Sequence, residues 1–164
     1  MTTFQDAKDS FYLCLRNQLA LVNPDRTIAV RGAVRPAVLV AENELPAGNA
    51  EPVLDAFVLH WGAVATDNSE AMPLDHARCT IQVQTAGSPE VAGMDRGRVL
   101  AAMRAELAAM LAPGSAAKAS YSGAAPVPAA TPVFWSAVAP EELKEAVGTL
   151  TAMYAVDVFA WREL

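Results

Sequence analysis

Two stretches of the chain carry apolar residues at the three- and four-residue spacing that is typical of an amphipathic helix. The first covers residues 3 to 21 and stops at Pro24, because the residue before a proline is pushed out of the α region. The second covers residues 95 to 112, with Asp95 as a candidate N-cap and Gly114 shortly after its end. The pattern therefore predicts two main helices.

β-Branched residues concentrate in short runs after the first helix. Residues 27 to 31 and 37 to 41 are two such runs, separated by Gly32 and Pro36. They are interpreted as two strands or as one strand with a break. Residues 42 to 55 contain two prolines and a glycine, so we expect a loop there.

The most regular alternation of apolar and polar residues lies in the middle of the chain. Residues 56 to 65 and 78 to 85 are predicted to be strands, joined by the polar residues 66 to 75 into an antiparallel hairpin with a long tip. The second strand alternates between three apolar residues on one face and three polar residues on the other: Cys79, Ile81 and Val83 against Thr80, Gln82 and Gln84. We expect the apolar face to be buried and the polar face to meet water or a partner.

The last third of the chain is more varied. Residues 113 to 132 are almost wholly Ala, Pro, Ser and Gly, which predicts an extended or mobile segment. Residues 133 to 138 form a short predicted strand. Residues 140 to 147 start with a proline followed by two acids, which favours one or two helical turns. Residues 149 to 161 alternate again and predict a long closing strand.

This order of elements predicts the fold class. A chain of 164 residues fits one domain, and a domain of this size buries roughly 70% of its unfolded surface. We expect a single α+β domain over residues 1 to 164, with two main helices packed on one face of a mostly antiparallel sheet.

Charge excludes one class of partner. The chain has 12 Lys and Arg against 18 Asp and Glu, a net charge of -6, and it contains no basic run. Because binding to phosphates needs a positive face, we expect no sequence-specific binding of nucleic acid. The first residues show no basic stretch followed by an apolar one, and the sequence contains no run of ~20 apolar residues. We therefore expect no signal peptide, and a cytoplasmic protein without a membrane partner.

Candidate catalytic and ligand-binding residues are few. Cys14 and Cys79 have no CxxC partner, and His60 and His76 have no ligand at metal-binding spacing. A Cys79–histidine dyad is conceivable, but strand alternation places Cys79 in a dry core. No phosphate-binding glycine loop is present. We therefore predict no catalytic residue, no cofactor, no metal and no enzymatic activity.

Aromatic residues lie on the predicted strands. Trp61, Trp135 and Trp161 can pack across strands, or they can line a ligand pocket. Phe134 and Trp135 are neighbours and cannot both face the same core, so one of them must meet a helix, a loop, solvent or another subunit.

In its order of elements the chain resembles the tail terminator, or tail completion, proteins of tailed phages and phage-derived particles. The resemblance covers most of the chain and lies in four features: the amphipathic helix from Phe4 to Val22, the long-tipped hairpin at 56 to 85, the second helix after Gln82-Val83-Gln84-Thr85, and the closing strand Ala155-Val156-Asp157-Val158-Phe159-Ala160-Trp161. Proteins of that family form a ring, commonly a hexamer, that caps the tail tube on the side of the head.

The resemblance implies a structural homo-oligomer whose partners are the tail tube protein and the head–tail connector. Such a subunit is cytoplasmic during assembly and then part of a virion or phage-like particle. We expect subunit or partner contacts at six residues: Thr80, Gln82, Gln84, Trp61, Trp135 and Trp161. Three alternatives remain open, namely a connector or tube-like subunit of the same kind of particle, a binding module with an aromatic-lined pocket, and an enzyme.

Overall fold

The computed structural model describes residues 3–48 and 51–162. Its helices are α1 (Phe4–Val22), the single-turn α2 (Ala41–Glu44) and α3 (Arg96–Leu111). The two main helices predicted from the sequence are confirmed to within one residue at each end. Asp95 precedes α3 as predicted, but its carboxylate accepts hydrogen bonds from Ser88 and closes the preceding loop instead of capping the helix.

Ten strands are present in the described part of the chain: β1 (Thr27–Val30), β2 (Ala33–Pro36), β3 (Val38–Val40), β4 (Phe57–Trp61), β5 (Ala65–Asp67), β6 (Leu74–Thr85), β7 (Ser115–Ser120), β8 (Val127–Trp135), β9 (Ala139–Ala146) and β10 (Thr149–Trp161). β1 and β2 pair only with each other. The remaining eight form one sheet in the order β3-β4-β6-β10-β8-β7, in which β5 also pairs with β6 and β9 with β10. All pairings except β3–β4 are antiparallel. The predicted α+β class is confirmed.

β6 and β10 form the centre of the sheet and pair along their whole length, from Leu150 opposite Thr85 to Trp161 opposite Leu74. The predicted hairpin between β4 and β6 is confirmed, and its tip is narrowed by the pairing of β5 with β6. In both central strands alternate side chains are buried, which confirms the predicted buried face of Cys79, Ile81 and Val83.

The two main helices lie together on that buried face. Phe11 of α1 is fully buried and contacts two tryptophans edge-on, with ring centroids 5.7 Å from Trp61 and 5.2 Å from Trp135. Glu106 of α3 joins the two helices, because its carboxylate binds the side chains of Asn23 and Arg26 beyond the end of α1. The core is therefore a sandwich of two helices on one sheet.

The prediction of helical turns at residues 140 to 147 is wrong: this segment is strand β9, paired with β10. Pro140 and the two acids after it suit a helix start, but they suit an exposed edge strand equally well. Tertiary pairing decides between the two. Val147 and Gly148 form a two-residue loop, with Gly148 at a φ of +79°, and this loop folds β9 back onto β10.

Two further segments differ in detail from the sequence prediction. Residues 113 to 132, expected to be extended or mobile, contain β7 and the first part of β8, which form a hairpin. Residues 27 to 41 contain three strands instead of two, because Arg31 and Gly32 both adopt positive φ and reverse the chain. The predicted loop at 42 to 55 begins with the rest of α2.

Candidate functional site: a helix-free face and an open strand edge

The face of the sheet opposite the helices is built by the alternate residues of β6 and β10 that point away from the core. We call it the helix-free face. In order along β6 it contains His76, Arg78, Thr80, Gln82 and Gln84. Their neighbours on β10 are Phe159, Asp157, Ala155, Met153 and Thr151.

The glutamine end of the helix-free face is engaged within the chain. The Gln82 Oε1 atom lies 3.2 Å from His60 Nε2, and Gln84 Nε2 donates a hydrogen bond to Thr149 Oγ1 at 3.3 Å. Gln82 and Gln84 also line a shallow groove with Val53, so Thr80, Gln82 and Gln84 are half-buried rather than exposed. One polar atom of each glutamine amide is thus held by a neighbouring side chain within the chain.

The other end of the helix-free face carries a row of stacked rings. The rings of Phe134 and Phe159 stack with their centroids 5.4 Å apart and an interplanar angle of 11°. The ring of His76 stacks on Phe159 with a centroid distance of 5.6 Å. The expectation that Phe134 and Trp135 face opposite sides is confirmed, since Trp135 points to the helices. Each ring of the row remains half-buried, so the row presents part of its area to solvent.

A charged group separates the two ends. Arg78 Nε donates to Asp157 Oδ1 at 3.1 Å, and Arg78 Nη1 lies 3.5 Å from Glu141 Oε1 on β9. Arg78 is well exposed, and the other two side chains are partly exposed. Exposed ion pairs contribute little stability, so this group mainly sets the charge pattern of the face.

The structure separates the six residues that were predicted to make contacts. Thr80, Gln82 and Gln84 lie on the helix-free face, whereas Trp61 and Trp135 pack beneath α1 on the opposite face. Trp135 is 8% exposed, and its Nε1 donates to Leu111 O at 3.0 Å.

Trp161 stands apart from both groups at the end of β10. It is half-buried and lines a groove of about 540 Å³ together with Met72 and Thr131. The six residues therefore do not form one surface.

β9 is the most exposed element of the sheet. All eight of its residues are exposed, including Leu143, of which 65% is accessible, and only β10 pairs with β9 among the described residues. We call the unpaired side of β9 the open edge. Its backbone N–H and C=O groups are free to form hydrogen bonds with another strand.

The two strands at the ends of the sheet order are covered, in contrast to β9. On β7, the Ala119 amide donates to Ser10 Oγ at 3.0 Å, and just beyond it the Tyr121 amide donates to Asp6 Oδ1 at 2.9 Å. On β3, the Val40 amide donates to Glu44 Oε1 at 2.9 Å. Side chains from α1 and α2 thus occupy positions that a neighbouring strand would otherwise take.

The cysteine and histidine side chains lie in separate surroundings in the described part of the chain. No cluster of three or more His, Cys, Asp or Glu side chains suited to a metal occurs within residues 3–48 and 51–162. Cys79 is fully buried, and burial raises the pKa of its thiol far above the ordinary value, so it is a poor nucleophile. His60 and His76 interact with Gln82 and Phe159, respectively. Of the helices described, none is long and apolar enough to cross a lipid bilayer.

No family model matches the sequence, and no curated protein matches it either.

The open edge was missed by sequence reasoning. Its residues, Ala139–Ala146, show no alternation of apolar and polar positions because neither of their faces is buried. The signal that could have revealed it is the short connection Val147-Gly148, which joins this segment to an evident strand in the manner of a hairpin.

Proposed function

We propose that this protein is a structural assembly subunit of a phage or phage-like tail, and that it forms a ring that caps the tail tube at its head-proximal end. The tail tube protein and the head–tail connector are its proposed partners. In this proposal the protein assembles in the cytoplasm and becomes part of the particle.

The observation that carries the proposal is the open edge. A long, uncovered strand at the side of a sheet is a template for pairing with another chain, and proteins normally protect such edges. Here helix side chains bind the outer backbone of β3 and β7, whereas β9 carries charged side chains and Pro140 but no such cover among the described residues. An assembly subunit needs an edge of this kind, and closed symmetry then buries it.

Two further features support an assembly role. The fold has two helices on one face of a mostly antiparallel sheet, and this is the architecture expected from the resemblance to tail terminators. The net charge of -6 suits a ring through which DNA passes, because an acidic lumen repels the phosphate backbone.

Light scattering coupled to gel filtration, followed by negative-stain electron microscopy, tests the proposal. We expect a closed ring of defined mass at micromolar protein concentration. A protein that stays monomeric at every concentration tested would contradict the proposal. Open filaments in the micrographs would instead favour the tube-like alternative, because a heterologous contact that does not close produces a helix of subunits.

A further inference from the structure

The chain carries a second unprotected strand pair, at the side of the molecule opposite the open edge. β1 and β2 form a separate hairpin before β3, and we call it the arginine arm. Four strand-to-strand steps separate β3 from β9 in the sheet, a distance of about 19 Å at the usual strand spacing. The arm leads directly into β3, so it and the open edge lie on different sides of the central strands β6 and β10.

The arginine arm offers a strand edge. Arg31 and Gly32 form its two-residue turn with φ values of 50° and 82°, so Val30 and Ala33 are the hydrogen-bonded closing pair. The alternation of an antiparallel ladder then directs the amides of Thr27 and Ala29 outward from β1. The outer edge of β2 ends in Pro36, which has no N–H to donate. We therefore expect a strand from another molecule to pair with β1 and not with β2.

A largely apolar groove of about 450 Å³ runs beside β1. Its apolar lining includes Ile28 and Val30 from the arm and Leu39, Leu45 and Pro46 from the body of the subunit, and Arg31, Asn43 and Glu44 line it as well. On the outer side of the arm, Val34 is 72% exposed. The groove is therefore wide and apolar enough to receive a side chain of the size of leucine from a second strand.

Positive charge gathers around the arm. Burial lowers the pKa of Arg35 below its ordinary value, and repulsion from Arg16 and Arg31 acts in the same direction. Arg35 forms an ion pair with Glu44, and Arg16 lies over the ring of Tyr12. Arg31, at the tip of the arm, is exposed.

The open edge has the complementary charge. Its charged side chains are three acids and one base: Glu141, Glu142, Glu145 and Lys144. Lys144 is partly neutralised, because its Nζ atom lies 3.5 Å from Glu142 Oε1. Parallel, in-register pairing of β9 with β9 of another copy would place like charges across from each other at every charged position, which is destabilising. In an antiparallel pairing centred on Leu143, Glu141 would still lie opposite Glu145.

We propose that the open edge of one subunit adds as a strand to β1 in the arginine arm of the next copy of this chain. Leu143 enters the groove beside β1, and the acids of β9 lie near Arg31 and Arg16. This inference rests on the proposed self-assembly and names the two surfaces that carry it. Because the two surfaces differ, the contact is heterologous and repeats from subunit to subunit until a ring closes.

A charge-reversal experiment on the full chain tests this contact. The first variant is Arg31→Asp, since Asp tolerates the left-handed backbone at this position, with Arg31→Asn as the control that only removes the charge. The second is the double change Glu142→Lys with Glu145→Lys. The third combines both changes in one chain, so that position 31 again faces side chains of opposite charge at positions 142 and 145.

We expect each reversal to raise the concentration at which half of the protein is assembled by about fivefold or more. The combined variant should return toward the wild-type value, and Arg31→Asn should have an intermediate effect. Light scattering over a dilution series measures these concentrations.

Two results would contradict the proposed contact without contradicting self-assembly. In the first, wild type assembles but the reversals have no effect. In the second, the combined variant assembles no better than either change alone. A wild-type protein that never assembles overturns the proposed function, and this contact with it.

A backbone variant distinguishes strand addition from charge attraction alone. Ala146 and Thr149 pair directly across the loop Val147-Gly148. Because hydrogen-bonded and non-hydrogen-bonded pairs alternate along an antiparallel ladder, the amides of Leu143 and Glu145 point away from β10. Leu143→Pro removes one of these amides without breaking a hydrogen bond to β10, and Leu143→Ala keeps the amide but removes the side chain. We expect the proline variant to assemble more weakly than the alanine variant. Equal assembly of wild type and Leu143→Pro would mean that β9 is not an added strand.

Discussion

The outer sides of β7 and β9 lie on the same side of the sheet, but side chains of α1 cover the edge of β7 and leave the edge of β9 uncovered. β7 is built from small residues around one buried lysine, and α1 packs against it closely enough for Ser10 and Asp6 to accept hydrogen bonds from the chain at this edge. β9 is built from charged residues, and in the described part of the chain no helix side chain occupies its outer side in the same way. The same kind of edge is closed in one place and open in the other.

The difference shows how the chain separates folding from assembly. Closing the β7 edge ties the first helix to the last third of the sequence, so it stabilises the subunit itself. The charged side chains of β9 leave its outer backbone groups accessible. They also disfavour unspecific pairing with other strands, because charged edges resist aggregation. Loss of the first arrangement should therefore unfold the subunit, and loss of the second should only separate subunits.

The largest expected effect is that of Asp6→Ala. The Asp6 carboxylate accepts hydrogen bonds from the amides of Thr3 and Tyr121, so its removal leaves both without a partner. We expect the free energy of unfolding to fall by about 2–3 kcal/mol. Urea unfolding at a protein concentration too low for assembly measures it, because assembly would add its own stability.

Asp9→Ala is the matched control for that measurement. Asp9 lies one turn further along α1, and its carboxylate accepts a hydrogen bond only from the exposed side chain of Gln5 among the described contacts. We expect a change within about 0.5 kcal/mol. Equal losses in the two variants would mean that closure of the β7 edge contributes nothing.

Ser10→Ala should have the next largest effect. Its hydroxyl group accepts from the Ala119 amide and donates to Asp6 O at 2.8 Å, so the variant breaks two hydrogen bonds in a buried position. We expect a loss of about 1–2 kcal/mol. Ser120→Ala removes a hydroxyl that contacts only the exposed Ser122 hydroxyl in the described structure, and it should be nearly neutral.

The contribution of Asp6 should also depend on pH. Burial alone would raise the pKa of Asp6, but hydrogen bonds from the Thr3 and Tyr121 amides outweigh burial and hold it below its ordinary value of 3.8. A carboxyl group with a lowered pKa stabilises the fold above its unfolded value and loses that effect as pH falls through the folded value. We expect the stability difference between wild type and Asp6→Asn to be constant near neutral pH and to shrink below pH 3.8. A difference that stays constant down to pH 2 would contradict this assignment.

The smallest effect on folding is expected for the open edge. Leu143→Pro alters an exposed residue whose amide points away from β10, so the free energy of unfolding of the dilute subunit should change by less than about 0.5 kcal/mol. Circular dichroism during thermal unfolding measures it. A loss comparable to that of Asp6→Ala would show that β9 is part of the folding unit and not a surface reserved for assembly.

Much of the fold was predictable from the sequence because buried faces leave a periodic pattern. Cys79, Ile81 and Val83 alternate with polar residues, and the closing strand was predicted with the bounds that the structure gives it. Phe11 and its neighbours marked α1 in the same way. In each case one face of the element packs into the core, so burial determines which residue types recur.

The two edges were not predictable for a physical reason that they share. β7 consists largely of Ala and Ser, which carry little apolar signal even where they pack, and β9 buries neither face. The positions of β7 and β9 in the sheet are determined by pairing with other strands, which no local pattern predicts. The hydrogen bonds from Tyr121 to Asp6 and from Ala119 to Ser10 each span more than a hundred residues, and no local pattern records them.

Hydrogen exchange at single amides tests most directly whether the open edge is the surface of self-assembly. The amides of Leu143 and Glu145 should exchange quickly in dilute protein and slowly at a concentration where light scattering shows the ring. Those of Ala119 and Tyr121 should be protected equally under both conditions, because α1 already covers them. If the ring forms and the exchange of Leu143 and Glu145 stays fast, the open edge does not join the subunits.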